Sequence, residues 1–392
     1  MGFITNTLPA KQLHLHMNAI DQLNQVLEYL KKTFVGKDEI IDLLGICLVA
    51  RENAFLLGPP GTAKSAIVRT LSQCIVDGNN FEYLLTRFTE PSEIFGPFDI
   101  RKLKEGELIT NTEGMMPEAS LVFLDEIFNA NSAILNSLLM ALNERIFRRG
   151  RETRLLPALM FVGASNQLPQ EETLNALLDR FLIRINCNYV APDQLEQVLI
   201  QGWKQQKNPI QDIPSITSNA IKDLQAMSKN IDLSPIRAQY VDLIHSLRNT
   251  GFSVSDRRAV KIQNLIAASA LLADRQEVIT SDLWVMRHIW DTEEQIETLQ
   301  AMIEGVIGKE PIPNSHPQAF QNALPDAEVL MQEIISLTER WEQSTENWEE
   351  KNLIKDQLRF LQNRNNWLQS EEKRRYIQQN IDALWQKILA QS

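Results

Sequence analysis

Cysteine is scarce. The 392 residues hold three, Cys47, Cys74 and Cys187, and no two stand at a C-x-x-C spacing. That argues against a disulfide framework or a cysteine zinc site and predicts buried thiols in a reducing compartment. Long apolar runs are missing too. The longest, residues 40–50, is broken by Asp42 and falls far short of the roughly 20 residues a bilayer requires, so no membrane span is expected. No basic segment followed by an apolar block opens the chain, as a secretory signal would; a cytoplasmic location is the expectation. There is no excess of positive charge, the net charge being −11. Sequence-independent binding of nucleic acid draws on a basic surface that releases counterions, so the overall balance argues against DNA or RNA, although a local basic loop can sit within an acidic total. The N-K-x-D string with which GTPases read their base does not occur.

What is present is ordinary soluble material, 44% hydrophobic and 23% charged, in a chain long enough for two or three domains. Residues 15–50 carry apolar positions such as Leu23, Val26, Leu27 and Leu30 at helical spacing, interrupted near Gly36 and Lys37. A short apolar segment at 54–57 then runs into a glycine loop and a helical stretch, 64–73. Further strands are expected at 81–85, 121–124, 159–164 and 181–185, with helices at 133–143 and 172–178. Strands alternating with helices predict a parallel sheet covered on both faces. The fold class is therefore α/β over residues 1–190. Helices dominate from 191 to 300, with Ser234-Pro235 as an N-cap and N1 pair and further helices over 256–273 and 280–290. Glycines and prolines mark a linker at 301–325. Leu330, Ile334, Leu337, Trp341 and Trp348, then Ile377, Ile381, Leu384 and Ile388, predict a helical hairpin or bundle over 326–392 with the tryptophans in its core.

The strongest chemical signal is the loop Gly58-Pro59-Pro60-Gly61-Thr62-Ala63-Lys64-Ser65 between strand and helix. A phosphate-binding loop presents successive backbone N–H groups and a helix N-terminus to the phosphates. Lys64 would neutralise the β- and γ-phosphates of ATP, and the Ser65 hydroxyl would bind Mg²⁺. Ala63 stands where the general pattern has glycine. The apolar segment 121–124 ends in Asp125 and Glu126, as a Walker B strand does. Asp125 would hold the Mg²⁺ and Glu126 would orient and polarise the attacking water.

Three further polar residues are candidates for the site. Asn166, after strand 159–164, could reach the γ-phosphate or be a turn asparagine. Arg180, before strand 181–185, could stabilise transition-state charge. Arg257 opens a lid helix and could contact the γ-phosphate. Two β-hairpins are expected, one at 98–110 around Glu105-Gly106 and one around Arg149-Gly150-Arg151. The second gathers Arg145, Arg148, Arg149 and Arg151, a cluster that would suit an acidic polymer but reads better as a subunit-interface or solvated loop.

These residues, taken in order, resemble the MoxR family of AAA+ ATPases: GPPGTAKS, LVFLDEIF, ILNSLLMALNERIF, GASN and LLDRF. TRFTEPSEIFGPFDI, NERIFRRG and VSDRRAVK resemble its RavA-type branch, in which alanine before the lysine is the rule. The resemblance covers about residues 20–290. It implies an AAA+ core with an all-helical lid, Asn166 as sensor 1, Arg180 as an arginine finger acting on a neighbouring subunit, and Arg257 as sensor 2. It further implies a homo-hexamer, a helix-2 insert at about 89–117 and a pre-sensor-1 hairpin at Arg149, both facing the ring pore. A partner bearing a von Willebrand A-type domain and a protein client remodelled in a chaperone-like manner are also implied. RavA-type chains carry a small β-rich module in their C-terminal region; the sequence shows helices there and no such module, so no partner of that module is carried over. A DNA-acting AAA+ motor is the alternative, supported by the basic hairpin alone. A nucleotide switch that binds without turnover would not need Glu126.

Overall fold

The computed structural model describes residues 10–149, 152–169, 171–207, 213–308, 314–321, 327–343 and 371–390, with single positions between 351 and 365. Two long helices, α1 (Ala10–Thr33) and α2 (Asp38–Ala50), lead into β1 (Ala54–Leu57) and α3 (Lys64–Gln73). They are followed by β2 (Asn80–Leu84), the short helices α4 (Pro91–Phe95) and α5 (Ile100–Lys104), β3 (Leu121–Asp125) and α6 (Ser132–Glu144). A hairpin of β4 (Ile146–Arg149) and β5 (Glu152–Leu155) precedes β6 (Met160–Ser165), α7 (Glu172–Leu178) and β7 (Ile183–Asn186). The main sheet has five parallel strands in the order β2-β3-β6-β1-β7. β1 and β6 are buried at every position, whereas the edge strand β2 alternates. That is the burial expected of a parallel sheet with helices on both faces. Because all five strands point the same way, their C-terminal ends make one edge of the sheet, and their N-terminal ends make the other.

The second part of the chain is helical: α8 (Leu195–Lys207), α9 (Ser218–Ser228), α10 (Arg237–Asn249), α11 (Asp256–Leu272), a 3₁₀ helix at Thr280–His288 and α12 (Gln295–Ile307). α9 and α11 pack directly on α1 and α2, so the N-terminal helices and the lid share one apolar core with the sheet. Asp42, which interrupts the apolar run of α2, is buried and pairs with Lys31 at 2.7 Å. Residues 314–321, which include α13 (Gln318–Gln321), dock on this body. Arg287 donates to the Gln318 and Ala319 carbonyls at 3.1 and 2.6 Å, Gln318 Nε2 donates to Asp42 at 2.8 Å, and His316 stacks on Trp284 at 4.9 Å between ring centres.

A separate core joins α14 (Ala327–Gln343) and α15 (Glu371–Ala390). Leu330, Ile334, Leu337 and Trp341 meet Ile377, Ile381, Leu384 and Ile388, with Ile354, Leu358 and Leu361 between them. The four-three-four spacing on both helices makes this seam; Trp348 lies outside the described residues. The three cysteines are free and buried.

Two local expectations fail. Residues 98–110 form no hairpin: Asp99 caps α5 by accepting from the Arg101 and Lys102 amides, and one bridge, Phe98 with Thr110, is what remains of the pairing. A capping carboxylate followed by lysines and arginine favours a helical turn over an extended strand. At the start of α10, Ser234 does not cap. It opens a 3₁₀ turn, and its amide and hydroxyl donate instead to Asp232 at 2.9 and 2.8 Å.

Candidate functional site

The loop after β1 is shaped by two backbone requirements. Gly58 has φ +155°, and a Cβ there would lie 2.2 Å from the Cys187 carbonyl oxygen, so no side chain fits where the loop passes β7. Ala63, the residue before Lys64, has φ +69° and ψ +15°. The position demands left-handed backbone, which explains why glycine is usual there, and alanine accepts a cost of about 1 kcal/mol to occupy it. The turn is closed internally by Thr62 Oγ1 donating to the Pro59 carbonyl at 2.9 Å. α3 then starts at Lys64 with its N-terminus at the loop, an arrangement that favours bound anions.

Around this loop the C-terminal edge of the sheet gathers the expected polar groups. Lys64, buried, donates from Nζ to the Gly58 carbonyl, to the Pro59 carbonyl at 3.1 Å and to Asn166 Oδ1 at 3.1 Å. Ser65 Oγ lies 3.2 Å from Asp125 Oδ2. Glu126 is held in a left-handed conformation, φ +50° and ψ +46°, with the Ser165 hydroxyl 3.5 Å from Oε2. A strained non-glycine backbone of this kind concentrates at functional sites. Pro60 and Gly61 form the outer rim of the loop and are partly or largely exposed. The loop residues, Ser65, Asp125, Glu126 and Asn166 thus converge at one place.

Arg180 and Arg257 do not join them. Arg180 precedes β7, at the opposite edge of the sheet, where its carbonyl accepts from Asn53 Nδ2 at 3.0 Å. Asn53 stands before the first residue of β1 and Gly58 after its last, a separation of about 16 Å along the strand. Arg257 donates from Nη2 to Asn143 Oδ1 at 3.1 Å, near the end of α6 and next to Leu142, whose carbonyl also accepts from Asn53. Both arginines therefore lie on the far side of the sheet from Lys64 in their own protomer. Their neighbour Arg258 turns inward: it bonds Asp291 at 2.9 and 3.1 Å, and Arg184 bonds the same carboxylate at 2.6 Å. Burial pushes the Arg184 guanidinium down to about 10, which leaves it charged at neutral pH.

The basic hairpin also resolves into separate roles. Arg145 points inward, donating to Asn53 Oδ1 at 2.8 Å and lying 4.8 Å over the Phe161 ring. Arg149 donates to the Gly96 carbonyl at 2.6 Å and sits 4.1 Å over Phe98, tying the hairpin to the 89–117 segment. Arg148 stays exposed, and Arg151 lies outside the described residues. The cluster is not a continuous basic face.

Sequence reasoning missed three groups at or below the site. Lys37 donates from Nζ to the Asn188 carbonyl, and burial pulls its ammonium below the usual lysine range. Tyr189 Oη lies 3.4 Å from the Pro60 carbonyl, on the open flank of the loop. Asn53 carries the hydrogen bonds described above. The signal for Asn53 was an amide at the foot of a wholly apolar strand.

Hard oxygen donors suit a small divalent cation, and Ser65 and Asp125 are two such donors side by side. Among the described residues no group of three or more His, Cys, Asp or Glu side chains is placed to cage a metal.

A five-stranded parallel sheet with its glycine loop, an acidic β3 terminus and a helical lid defines the AAA+ class of P-loop ATPases. The chain belongs to the MoxR family within that class. Residues 21–226 match the family model described as the MoxR domain in MoxR–vWA–β-propeller ternary systems, and residues 233–303 match an AAA lid domain. A protein of Methanocaldococcus jannaschii is 34% identical over 290 residues, which cover 74% of this chain and 75% of that protein. The chaperone MoxR1 of Mycobacterium tuberculosis is 24% identical over 281 residues, covering 67% of this chain and 73% of its own. A solved chain from Cytophaga hutchinsonii, assigned provisionally to the ATPases, superposes with a TM-score of 0.62 at 19% identity, over 77% of this chain and 98% of that one. This last likeness concerns the fold.

Proposed function

We propose that the chain is a Mg²⁺-dependent ATPase that works as a homo-hexameric ring and converts hydrolysis into remodelling of a protein client. The observation that carries this reading is the split of the polar groups between the two edges of one sheet. Lys64, Ser65, Asp125, Glu126 and Asn166 lie at one edge; Arg180 and Arg257 lie at the other. A protomer that keeps its cationic finger about 16 Å from its own phosphate loop makes sense when each finger serves the next protomer's nucleotide. On this reading Arg257, taken from sequence as a sensor for the γ-phosphate, also acts across the interface.

The loop from Gly58 through Ser65 would wrap the phosphates of ATP with its N–H groups, and Lys64 would exchange its loop carbonyls for phosphoryl oxygens. Ser65 and Asp125 would hold the Mg²⁺, which supplies charge neutralisation on the phosphates. Glu126 accepts a proton from the attacking water as it orients it. Asn166, already against Lys64, fixes that water or the γ-phosphoryl oxygen. Arg180 of the adjoining protomer stabilises charge that develops on the transferred group.

The relatives support the finer parts of the reading. One is a chaperone by name, and the family model is described from systems that contain a vWA component, so a partner with a von Willebrand A-type domain is part of the proposal. Ala63 and the segment TRFTEPSEIFGPFDI favour the RavA-type branch. We divide the chain into a nucleotide-binding domain (1–190), a lid (191–300), a connecting segment (301–325) and a C-terminal helical bundle (326–392), and place it in the cytoplasm. Among the described residues, no helix is long and apolar enough to cross a membrane. A DNA-acting motor is disfavoured, because Arg145 and Arg149 are spent on internal contacts.

Equilibrium binding and steady-state turnover test the assignment. Lys64→Ala should abolish ATP binding. Glu126→Gln should bind ATP like the parent chain and hydrolyse it at least about 100-fold more slowly. Undiminished turnover in Glu126→Gln would remove Glu126 from the mechanism.

A further inference from the structure

We propose that Asn53 is the positioning residue of the arginine finger, holding the Arg180 backbone at the height from which its guanidinium reaches a neighbouring protomer. The inference rests on the reading of Arg180 as a finger that acts across the interface.

Arg180 rides on a tight turn between α7 and β7. Its amide donates to Leu177 and that of Phe181 to Leu178, both at 3.0 Å. Its side chain is not pinned by a strong partner. Nη1 lies 3.3 Å from the exposed carboxylate of Asp179, a contact of little worth in water. Nε is buried without a hydrogen-bond partner. Two bonds reach the turn from outside it: Arg184 Nη2 donates to the Leu178 carbonyl at 3.4 Å, and Asn53 Nδ2 grips the carbonyl of Arg180 itself at the shorter 3.0 Å.

Asn53 suits that task because its amide is fully committed and can adopt one orientation. The side chain is 1% exposed. Nδ2 donates to the carbonyls of Arg180 and Leu142, at 3.0 and 3.2 Å, and Oδ1 accepts from Arg145 Nη2 at 2.8 Å. Carbonyls only accept and guanidinium only donates, so rotating the amide by half a turn would break all three bonds. Arg145 is itself immobilised. It sits in left-handed backbone at the end of α6, φ +55°, lies over Phe161 of β6 and donates to the Arg51 carbonyl at 3.2 Å. Below the turn, Phe181 packs on Phe55 of β1 at 5.8 Å between ring centres.

The finger is thereby built onto β1 and α6. Both elements also lead to the protomer's own nucleotide edge, β1 running into Gly58 and α6 following the segment after Glu126. No other buried side chain among the described residues bonds the Arg180 carbonyl. A misplaced reacting group costs steeply even at about 1 Å, so the grip of one amide is enough to matter.

The test uses the full-length assembly with Asn53→Asp and Asn53→Ser. The first is isosteric and retains the acceptor for Arg145 but points a carboxylate at two carbonyls; the second removes both donors. Each should lower kcat for ATP about 10- to 100-fold while the nucleotide Kd stays within about twofold of the parent value. Each should recover turnover when mixed with Glu126→Gln protomers, whose intact fingers would serve the variant's intact loops. Arg180→Ala is run alongside. If Arg180→Ala is rescued and the Asn53 variants are not, or if they keep parental kcat, the inference is overturned while the finger stands. Loss of nucleotide affinity, or failure of both variants to fold, makes Asn53 a structural residue and also overturns it. If Arg180→Ala itself is not rescued, the finger reading fails and this inference fails with it.

Discussion

At Ala63 the chain places a Cβ on left-handed backbone, φ +69°, at the most sensitive point of its phosphate loop. Glycine there would relieve a strain of about 1 kcal/mol, and the greater freedom of glycine in the unfolded chain would offset most of that gain. Ala63→Gly is therefore expected to melt within a few degrees of the parent and to bind ATP at least as well. Ala63→Val, with a branched Cβ on the same backbone, should lose about 2 kcal/mol or more and bind nucleotide poorly. Calorimetric melts and ATP titrations of the two variants check this, and equal behaviour of the valine and glycine variants would contradict it. Legibility at this scale followed chain locality. That Lys64, Ser65, Asp125 and Asn166 come together was readable because each ends a strand or lies in the loop or helix start that follows one, and those strand ends share one edge of a parallel sheet. The roles of Arg257 and Arg258 were not separable in sequence. Which of two adjacent arginines faces Asn143 and which faces Asp291 is set by the rotation of α11 on the body, a tertiary quantity. For Asn53 the sequence offered an amide at the foot of an apolar strand but not its partners, which come from residues 142, 145 and 180.

Between elements, two polar clusters fix the lid and the chain that leaves it. Asp291 neutralises Arg184 from β7 and Arg258 from α11 at once. Asp291→Ala would leave two neighbouring guanidinium groups, both buried, without their anion, and should cost about 3 kcal/mol in urea unfolding. A change below about 1 kcal/mol would show that backbone carbonyls alone satisfy these arginines.

The docked segment 314–321 gives a pH signature. Burial first, with help from Lys31 and then Arg275 against the opposing pull of Asp282, lowers the His316 imidazole from an ordinary 6.5 to about 4. The unfolded chain then binds a proton at higher pH than the folded one does. Stability from this group is complete above pH 6.5 and declines as pH falls towards 4, by up to about 3 kcal/mol. Melting temperatures of the parent chain and of His316→Gln, measured from pH 7.5 to 4.5, should converge as pH falls. Parallel curves would contradict the shift. Elements themselves were largely readable, because β1, β3 and β6 are short, apolar and flanked by loop signals. The hairpin at 98–110 was misread because alternation over so few residues does not outweigh the Asp99 cap. The docking of His316 and Gln318 depends on Trp284, Asp42 and Arg287 from distant positions, which no local pattern reveals.

In the whole molecule, one sheet carries polar groups at both edges, Lys64 at one and Arg180 at the other, and the proposed ring of copies would bring the two together. The resemblance implies the finger, and β1 separates Arg180 from Lys64 along its whole length, so the proposed finger would serve a neighbouring protomer. The most direct test is a mixture of two inactive proteins. Glu126→Gln lacks the water-orienting carboxylate but keeps its finger, and Arg180→Ala lacks the finger but keeps its phosphate loop and acids. Each alone should bind ATP with near-parental affinity and turn it over at least about 100-fold more slowly. Combined in equal amounts, they should regain a substantial fraction of parental turnover, because some interfaces then pair an intact loop with an intact finger. Mixtures that form joint assemblies yet stay as inactive as their components would contradict the shared site.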